Sequence, residues 1–243
     1  MVNNLTQVRR LVLIRHADTD VTHTRDDPNL PRMGERQAKR LRDRFVATGE
    51  LGEVTGFYSS ELNRTKWTAK LLEPAIGSAD LRLDSALREM YWGEAEGCSW
   101  ASMVEDHGVP SGKDNPFADG ETWNEFERRA RVALRTYAAR PGTTVIVCHA
   151  GIIEVSFIEF AGLDRRDLRF AMAPRNTSIT TWTELEGKTA ARRLDVYNDA
   201  AHLWSKGEWL HRSESFQSDE PFWHALEPGA PAEPASPEPP RSP

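Results

Sequence analysis

A chain of 243 residues, 39% of them hydrophobic, is long enough for one large α/β domain or two small ones. Its formal net charge of -6 and pI of about 5.7 argue against general nucleic-acid binding, which needs a basic face, but leave room for a small anionic substrate held by a local arginine cluster. No apolar stretch approaches the roughly 20 residues of a membrane span, and the N-terminus shows no basic segment followed by an apolar run, so neither a membrane span nor a signal peptide is expected and a cytoplasmic location is.

Leu11-Val12-Leu13-Ile14 reads as a strand covered on both faces, as at the centre of a parallel sheet. It ends in Arg15-His16-Ala17-Asp18-Thr19. A polar loop follows to about Arg32, then a helix from about Gly34 with Ala38, Leu41 and Phe45 on one stripe. Phe57-Tyr58 predicts a short strand. Ser59-Ser60 offers an N-cap to a second helix, and Glu61 suits its positive end. Leu62, Thr65, Ala69 and Leu72 form that helix's stripe, and Pro74 is expected to close it. Leu81–Leu83 predicts another short strand, and the stretch from Trp92 to Gly120 is irregular, aromatic and acidic. Trp123, Phe126, Ala130, Ala133 and Tyr137 recur at helical spacing. Val145-Ile146-Val147 is a second buried run, ending in Cys148-His149-Ala150-Gly151, with a helix expected from about Ile152 to Phe160. Ser178–Trp182 and Arg192–Tyr197 read as two more strands. The alternation predicts an α/β fold, a mostly parallel central sheet with helices on both faces.

The predicted domain covers residues 1–203. An aromatic extension follows over 204–226, with Trp204, Trp209, Phe216, Phe222 and Trp223. Residues 227–243 carry proline at every third position from Pro228 to Pro243, which favours an extended, solvated tail. That tail is also a candidate ligand for a proline-binding partner. The cysteines, Cys98 and Cys148, read as two reduced thiols, and Cys148, beside a histidine, is a candidate for reaction with thiol reagents.

Sites in open α/β sheets form beyond the carboxyl ends of the strands. With the two buried strands as parallel neighbours, His16 and His149 share one rim with Arg15. Cleavage of a phosphate monoester without a metal needs cationic donors on the non-bridging oxygens, an in-line nucleophile and an acid for the leaving group. Arg15 can grip phosphate oxygens through its planar fork. His16 can attack phosphorus through a neutral ring nitrogen, forming a phosphohistidine. Arg64, near the start of the second helix, can add a second fork, and His149 can donate to the transferring oxygens. Glu89 is the candidate acid, then the base that activates water; Glu94 and Glu96 compete with it. A rival reading takes His16, Asp18, Asp20 and His23 as metal ligands.

These segments resemble the histidine phosphatase superfamily, also called phosphoglycerate-mutase-like. Its Arg-His-Gly-Glu-Thr is similar to Arg15–Thr19, and its Gly-x-x-Gln-Ala to Gly34, Gln37 and Ala38. Its Ser-x-Leu-x-Arg-x-x-x-Thr-Ala helix is similar to Ser60–Ala69, and its Leu-x-Glu-x-x-x-Gly-x-x-Glu-Gly to Leu87 through Gly97. Its Gly-Glu-Ser, Ser-His-Gly-Gly and Asn-x-Ser are similar to Gly120–Thr122, Cys148–Gly151 and Asn176–Ser178. The resemblance covers about residues 9–200 and implies a phosphoglycerate-mutase-like fold. It implies a phosphate pocket of Arg15, His16, Arg64 and His149, with Glu89 as proton donor. It also implies hydrolysis of a small phosphomonoester through a phosphohistidine, with no metal or other cofactor. A phosphomutase and a non-catalytic phosphate-binding or scaffold member are the alternatives. Mutases of the family carry a longer insert after the Glu89 position and a C-terminal segment over the site, neither recognised here. Ala17 and Ala150 replace glycines beside both histidines, which requires backbones that avoid positive φ. Asp18 replaces the usual Glu, and Thr22 stands where Asn is frequent. Substrate choice is expected from residues above the pocket, with Thr22, His23, Arg25 and Trp92 as candidates, beside Trp100 and Phe117. Trp92 and Trp100 are equally candidates for the core.

Overall fold

The computed structural model describes residues 8–19, 30–96, 105–106, 119–164, 172–184, 191–205 and 208–210. Six strands form one sheet: β1 (Arg9–Arg15), β2 (Val54–Ser59), β3 (Leu81–Leu83), β4 (Gly142–Cys148), β5 (Ile179–Glu184) and β6 (Arg192–Asp199), in the order β3-β2-β4-β1-β5-β6. β3, β2, β4 and β1 are parallel neighbours. β5 runs antiparallel to both β1 and β6, so it alone opposes the common direction. The helices are α1 (Arg32–Thr48), α2 (Asn63–Ile76), α3 (Trp123–Ala138) and α4 (Ala150–Ala161).

The apolar runs of the two central strands, Leu11–Ile14 and Val145–Cys148, are fully buried because they serve two cores at once. Leu11, Leu13, Ile146 and Cys148 face a cluster with Trp123, Phe126, Ala130, Leu134, Ile152 and Ile153 from α3 and α4. The intervening Val12, Ile14, Val145 and Val147 face Leu41 and Phe45 of α1 and Ala69, Leu72 and Ile76 of α2. Side chains of a strand alternate between faces, so an unbroken apolar run is what a strand between two helical layers requires. Each such side chain contributes about 1.5–3 kcal/mol on burial.

Local chemistry sets the helix ends. α1 buries Gly34, Gln37, Ala38, Leu41 and Phe45 on one stripe and ends at Gly49 in the left-handed region, whose N–H returns to Phe45 O. Only glycine takes that φ without strain. α3 opens with a capping box between Thr122 and Glu125. α2 differs from the sequence expectation at both ends. Its N-cap is Leu62, with no side-chain cap. Ser60 does not cap, because its hydroxyl is drawn to His149, and Ser59 Oγ donates to Ser60 O. Glu61 pairs with Arg88. Pro74 lies inside the helix, which runs on to Ile76; in the last turn it forfeits only the bond to the carbonyl of the exposed Lys70.

After β6, the chain stays on the domain. Trp204–Ser205 and Glu208–Trp209 pair as a small antiparallel ribbon, and Leu210 is buried with Ala200, Leu203 and Met33 of α1. Residues 211–243 lie outside the described set, and with them most of the aromatic extension and the whole proline-rich tail. Among the described residues, no helix is long and apolar enough to cross a membrane.

Candidate active site

β1 and β4 are in register so that Arg15 faces Cys148. The His16 N–H donates to Cys148 O at 2.9 Å, and His16 and His149 therefore emerge side by side at the carboxyl edge. Their ring centroids are 5.2 Å apart with planes tilted by 58°. His16 Nδ1 lies 2.8 Å from Ala17 O. A carbonyl oxygen only accepts, so Nδ1 carries a proton, and whenever the ring is neutral its lone pair is on Nε2.

The segment holding His16 is pinned from three sides. Ala17 N–H donates to Thr68 Oγ1 of α2, and Asp18 N–H donates to Gln37 Oε1 of α1 at 2.7 Å. Asn176 Nδ2 and the Thr177 N–H both donate to His16 O. Gly34 is required because a Cβ there would lie 2.2 Å from Asp18 O. Ala38 packs on Ala17 and Leu30. The Gly-x-x-Gln-Ala pattern of α1 is thus a seat for the loop after His16. Thr177, buried and β-branched, sits at φ 56, a conformation that costs energy and persists where surroundings dictate it. Its N–H also donates to Arg15 O at 3.0 Å. Ala17 and Ala150 both avoid positive φ; Ala150 is the first residue of α4.

The cationic groups converge on the same edge. Arg64, buried in the first turn of α2, and Arg15, His16 and Arg129 all act electrostatically on His149. Arg15 donates from its guanidinium to Pro174 O at 2.7 Å, which orients the fork. His149 is fully buried. Burial first, then the neighbouring charges of Arg64, His16 and Arg15, hold its pKa well below the usual histidine range, so its ring is neutral. His149 Nε2 shares a 2.8 Å hydrogen bond with Ser60 Oγ.

Glu89 reaches the site at the N-terminus of α4. Its Oε2 accepts from Gly151 N–H at 3.1 Å and its Oε1 from Met90 N–H at 3.0 Å. Glycine at 151 leaves room for the carboxylate, since a Cβ would lie 2.3 Å from Glu89 Oε1 and 2.9 Å from the Phe126 ring. The backbone around Glu89 is braced by Arg129, which donates to the carbonyls of Ala86 and Arg88 and pairs through two nitrogens with Glu121. Glu121 in turn accepts from Tyr91 N–H.

The described residues thus bring together Arg15, His16, Arg64, Glu89 and His149. Thr22, His23, Arg25, Trp100 and Phe117 lie outside the described residues, as do Asp20 and Cys98. Trp92 is 6% exposed and packed in the α3–α4 core cluster, which is the core placement of its two alternatives and not an open wall above the pocket. Cys148 is corrected: its thiol is fully buried, and burial, then the charge of Glu89, pushes its pKa far up, so it is not a reactive thiolate. Sequence reading missed Ser60, Thr68 and Arg129. Serine before a helix has a ready meaning as a cap, and Arg129 carries no local motif at all.

A family model of the histidine phosphatase superfamily (branch 1) matches residues 11–200. The chain belongs to the histidine phosphatase superfamily. Among superfamily relatives, the probable phosphoglycerate mutase GpmB of Salmonella arizonae is 27% identical over 80% of this chain and 94% of its own length. The putative phosphoserine phosphatase 2 of Hydrogenobacter thermophilus is 29% identical over 66% of this chain and 83% of its own. A mycobacterial glucosyl-3-phosphoglycerate phosphatase solved with inorganic phosphate superposes with a TM-score of 0.67 at 24% identity, covering 81% of this chain and all of that one; this likeness speaks to the fold. The superfamily match also accounts for the phosphoglycerate-mutase-like sheet.

Proposed function

We propose that this protein is a phosphatase that hydrolyses a phosphomonoester through a phosphohistidine at His16, with no metal required. One observation carries the reading above all. The Ala17 carbonyl holds a proton on His16 Nδ1, so the neutral form of the ring offers its lone pair at Nε2, beside a neutral histidine and two arginines.

In the first step Nε2 attacks phosphorus, the P–N bond forms and the P–O bond to the leaving group breaks. Glu89 gives its proton to the departing oxygen. Arg15 and Arg64 take the charge on the non-bridging oxygens, and His149 donates to them while remaining uncharged. In the second step the Glu89 carboxylate takes a proton from water. The resulting hydroxide forms the new P–O bond, the P–N bond breaks and inorganic phosphate leaves. His16 returns to its starting tautomer because Ala17 O still holds Nδ1–H.

The reading is tested by hydrolysis of para-nitrophenyl phosphate in excess chelator, comparing wild type with His16→Ala. Activity that survives chelator and is lost in His16→Ala, together with a wild-type phosphoenzyme of one added phosphoryl group, is the expected result. Loss of activity with chelator, restored by a divalent cation, overturns it. The relatives' names include both a mutase and a phosphatase. Release of free phosphate, measured against transfer to an acceptor hydroxyl on phosphoglycerate, separates hydrolysis from mutation.

A further inference from the structure

We propose that Ser60 is a positioning residue for phosphoryl transfer: with Thr65 it forms a hydroxyl relay through which bound phosphate moves the ring proton of His149 onto Nδ1. The proposal rests on the phosphate-pocket reading above and deepens it. His149 has only two polar ring atoms. Nε2 is committed to Ser60 Oγ at 2.8 Å. Nδ1 is buried and has no hydrogen-bond partner among the described residues, so it alone is left to meet a bound oxyanion. A ring lone pair would repel that anion, whereas an N–H would donate to it. Which of the two Nδ1 presents depends on where the single N–H proton of the neutral ring sits, and Ser60 is the partner of the other nitrogen.

The hydroxyl protons can be counted. Ser60 Oγ lies 2.7 Å from Thr65 Oγ1 and accepts a long contact from Leu62 N–H at 3.4 Å. Thr65 Oγ1 is within reach of the carbonyls of Ser60 and Leu62 at 3.0 and 2.7 Å. Each hydroxyl has one proton, so two arrangements compete, and only the first keeps the 2.7 Å bond from Thr65 to Leu62 O. In one, Thr65 donates to a carbonyl, Ser60 donates to Thr65, and His149 must donate from Nε2, leaving Nδ1 bare. In the other, Thr65 donates to Ser60, Ser60 donates to Nε2, and Nδ1 holds the ring proton. The second is the one complementary to a phosphoryl group. All three side chains are fully buried, so water does not substitute for a missing hydroxyl, and a lone pair left unpaired there carries its full desolvation penalty. The relay therefore lets a neutral histidine act as a donor. A histidinium is not needed, and burial opposes one.

The test is a long-range nitrogen–proton correlation of the histidine rings in 15N-labelled protein loaded with inorganic phosphate, with His149→Gln used to assign the signal. The expected spectrum has His149 neutral, protonated on Nδ1 and accepting at Nε2; protonation on Nε2, or on both nitrogens, overturns the proposal. In kinetics on para-nitrophenyl phosphate, Ser60→Ala is expected to lower kcat by roughly 10- to 100-fold with a smaller change in KM. Ser60→Thr, which keeps the hydroxyl, is expected to recover most of it. Wild-type kcat in Ser60→Ala overturns the relay. Should Ser60→Ala not fold, the wild-type ring spectrum decides alone. Phosphate that moves neither the His16 nor the His149 signal counts against the phosphate pocket and leaves the relay to be read in the free protein. There Thr65→Val removes the competing oxygen and is expected to shift His149 toward the Nδ1–H form; an unchanged population overturns the relay.

Discussion

A methyl group added at Gly151 would lie 2.3 Å from Glu89 Oε1 and 2.9 Å from the Phe126 ring. Glu89 is the more mobile of the two, so Gly151→Ala is expected to push the carboxylate off the α4 N-terminus. Activity should fall at least about tenfold, while stability falls by about 1–3 kcal/mol, the usual cost of overpacking. Steady-state kinetics beside urea unfolding would check this; wild-type kcat in the variant would show that the Glu89 position is not critical. Cys148 gives a complementary prediction. Its thiol is buried and held protonated, so in a Cys98→Ser background it is expected to react with a thiol reagent only as fast as the protein opens. Labelling that is fast under native conditions would contradict the burial.

At the scale of elements, the loop bearing Glu89 is held by one side chain of α3. Arg129 makes a two-nitrogen pair with Glu121 and reaches the backbone carbonyls of the Ala86–Glu89 segment. Both partners are about one-fifth to one-quarter exposed, so solvent screens part of the attraction. Charge-assisted bonds in such a setting are worth about 1.5–3 kcal/mol each, not additively. Arg129→Gln is expected to cost roughly 2–4 kcal/mol in urea unfolding and to lower kcat more than it raises KM. The two halves of this element differ in how far they were legible. Val145–Val147 and Leu11–Ile14 could be read as central strands because burial on two faces leaves no polar residue in the run; that they are neighbours, which sets His16 beside His149, is the finding of the sheet order. Arg129 could not, because its partners are up to 43 residues away and mostly carbonyls, which leave no trace in side-chain pattern. The start of α2 was misread for a related reason. Ser60 has a plausible local role, and only the tertiary contact to His149, 89 residues away, overrides it. The antiparallel setting of β5 was also outside the reach of periodicity, which reports burial and not strand direction.

Across the whole molecule, the acid limb of stability is set by histidines buried in neutral form. His202 Nε2 shares a 2.9 Å hydrogen bond with Thr177 Oγ1, so it supports the strained turn that holds β1 and His16. Burial is the main cause that lowers its pKa from 6.5 to about 4; Arg44 and Arg40 lower it further, and Asp199 and Glu50 oppose them. The unfolded chain therefore binds the proton more readily between pH 6.5 and about 4. Stability is full above 6.5 and is lost as the pH falls through that window. A shift of this size corresponds to about 3 kcal/mol, and His149, shifted in the same direction, adds to it. Asp199 is held below its ordinary value, first by its hydrogen bond from Arg44. Its loss therefore begins below pH 4, beneath the histidine window. Urea unfolding measured from pH 7.5 to 4.5 is expected to show the decline, and His202→Gln, which removes one titrating ring, is expected to flatten it. Saturating inorganic phosphate should raise stability throughout by mass action. It should also weaken the His149 contribution, because a bound dianion favours protonation of the ring next to it. A stability profile that stays level down to pH 4.5 in the wild type would mean that neither histidine is kept neutral by the fold.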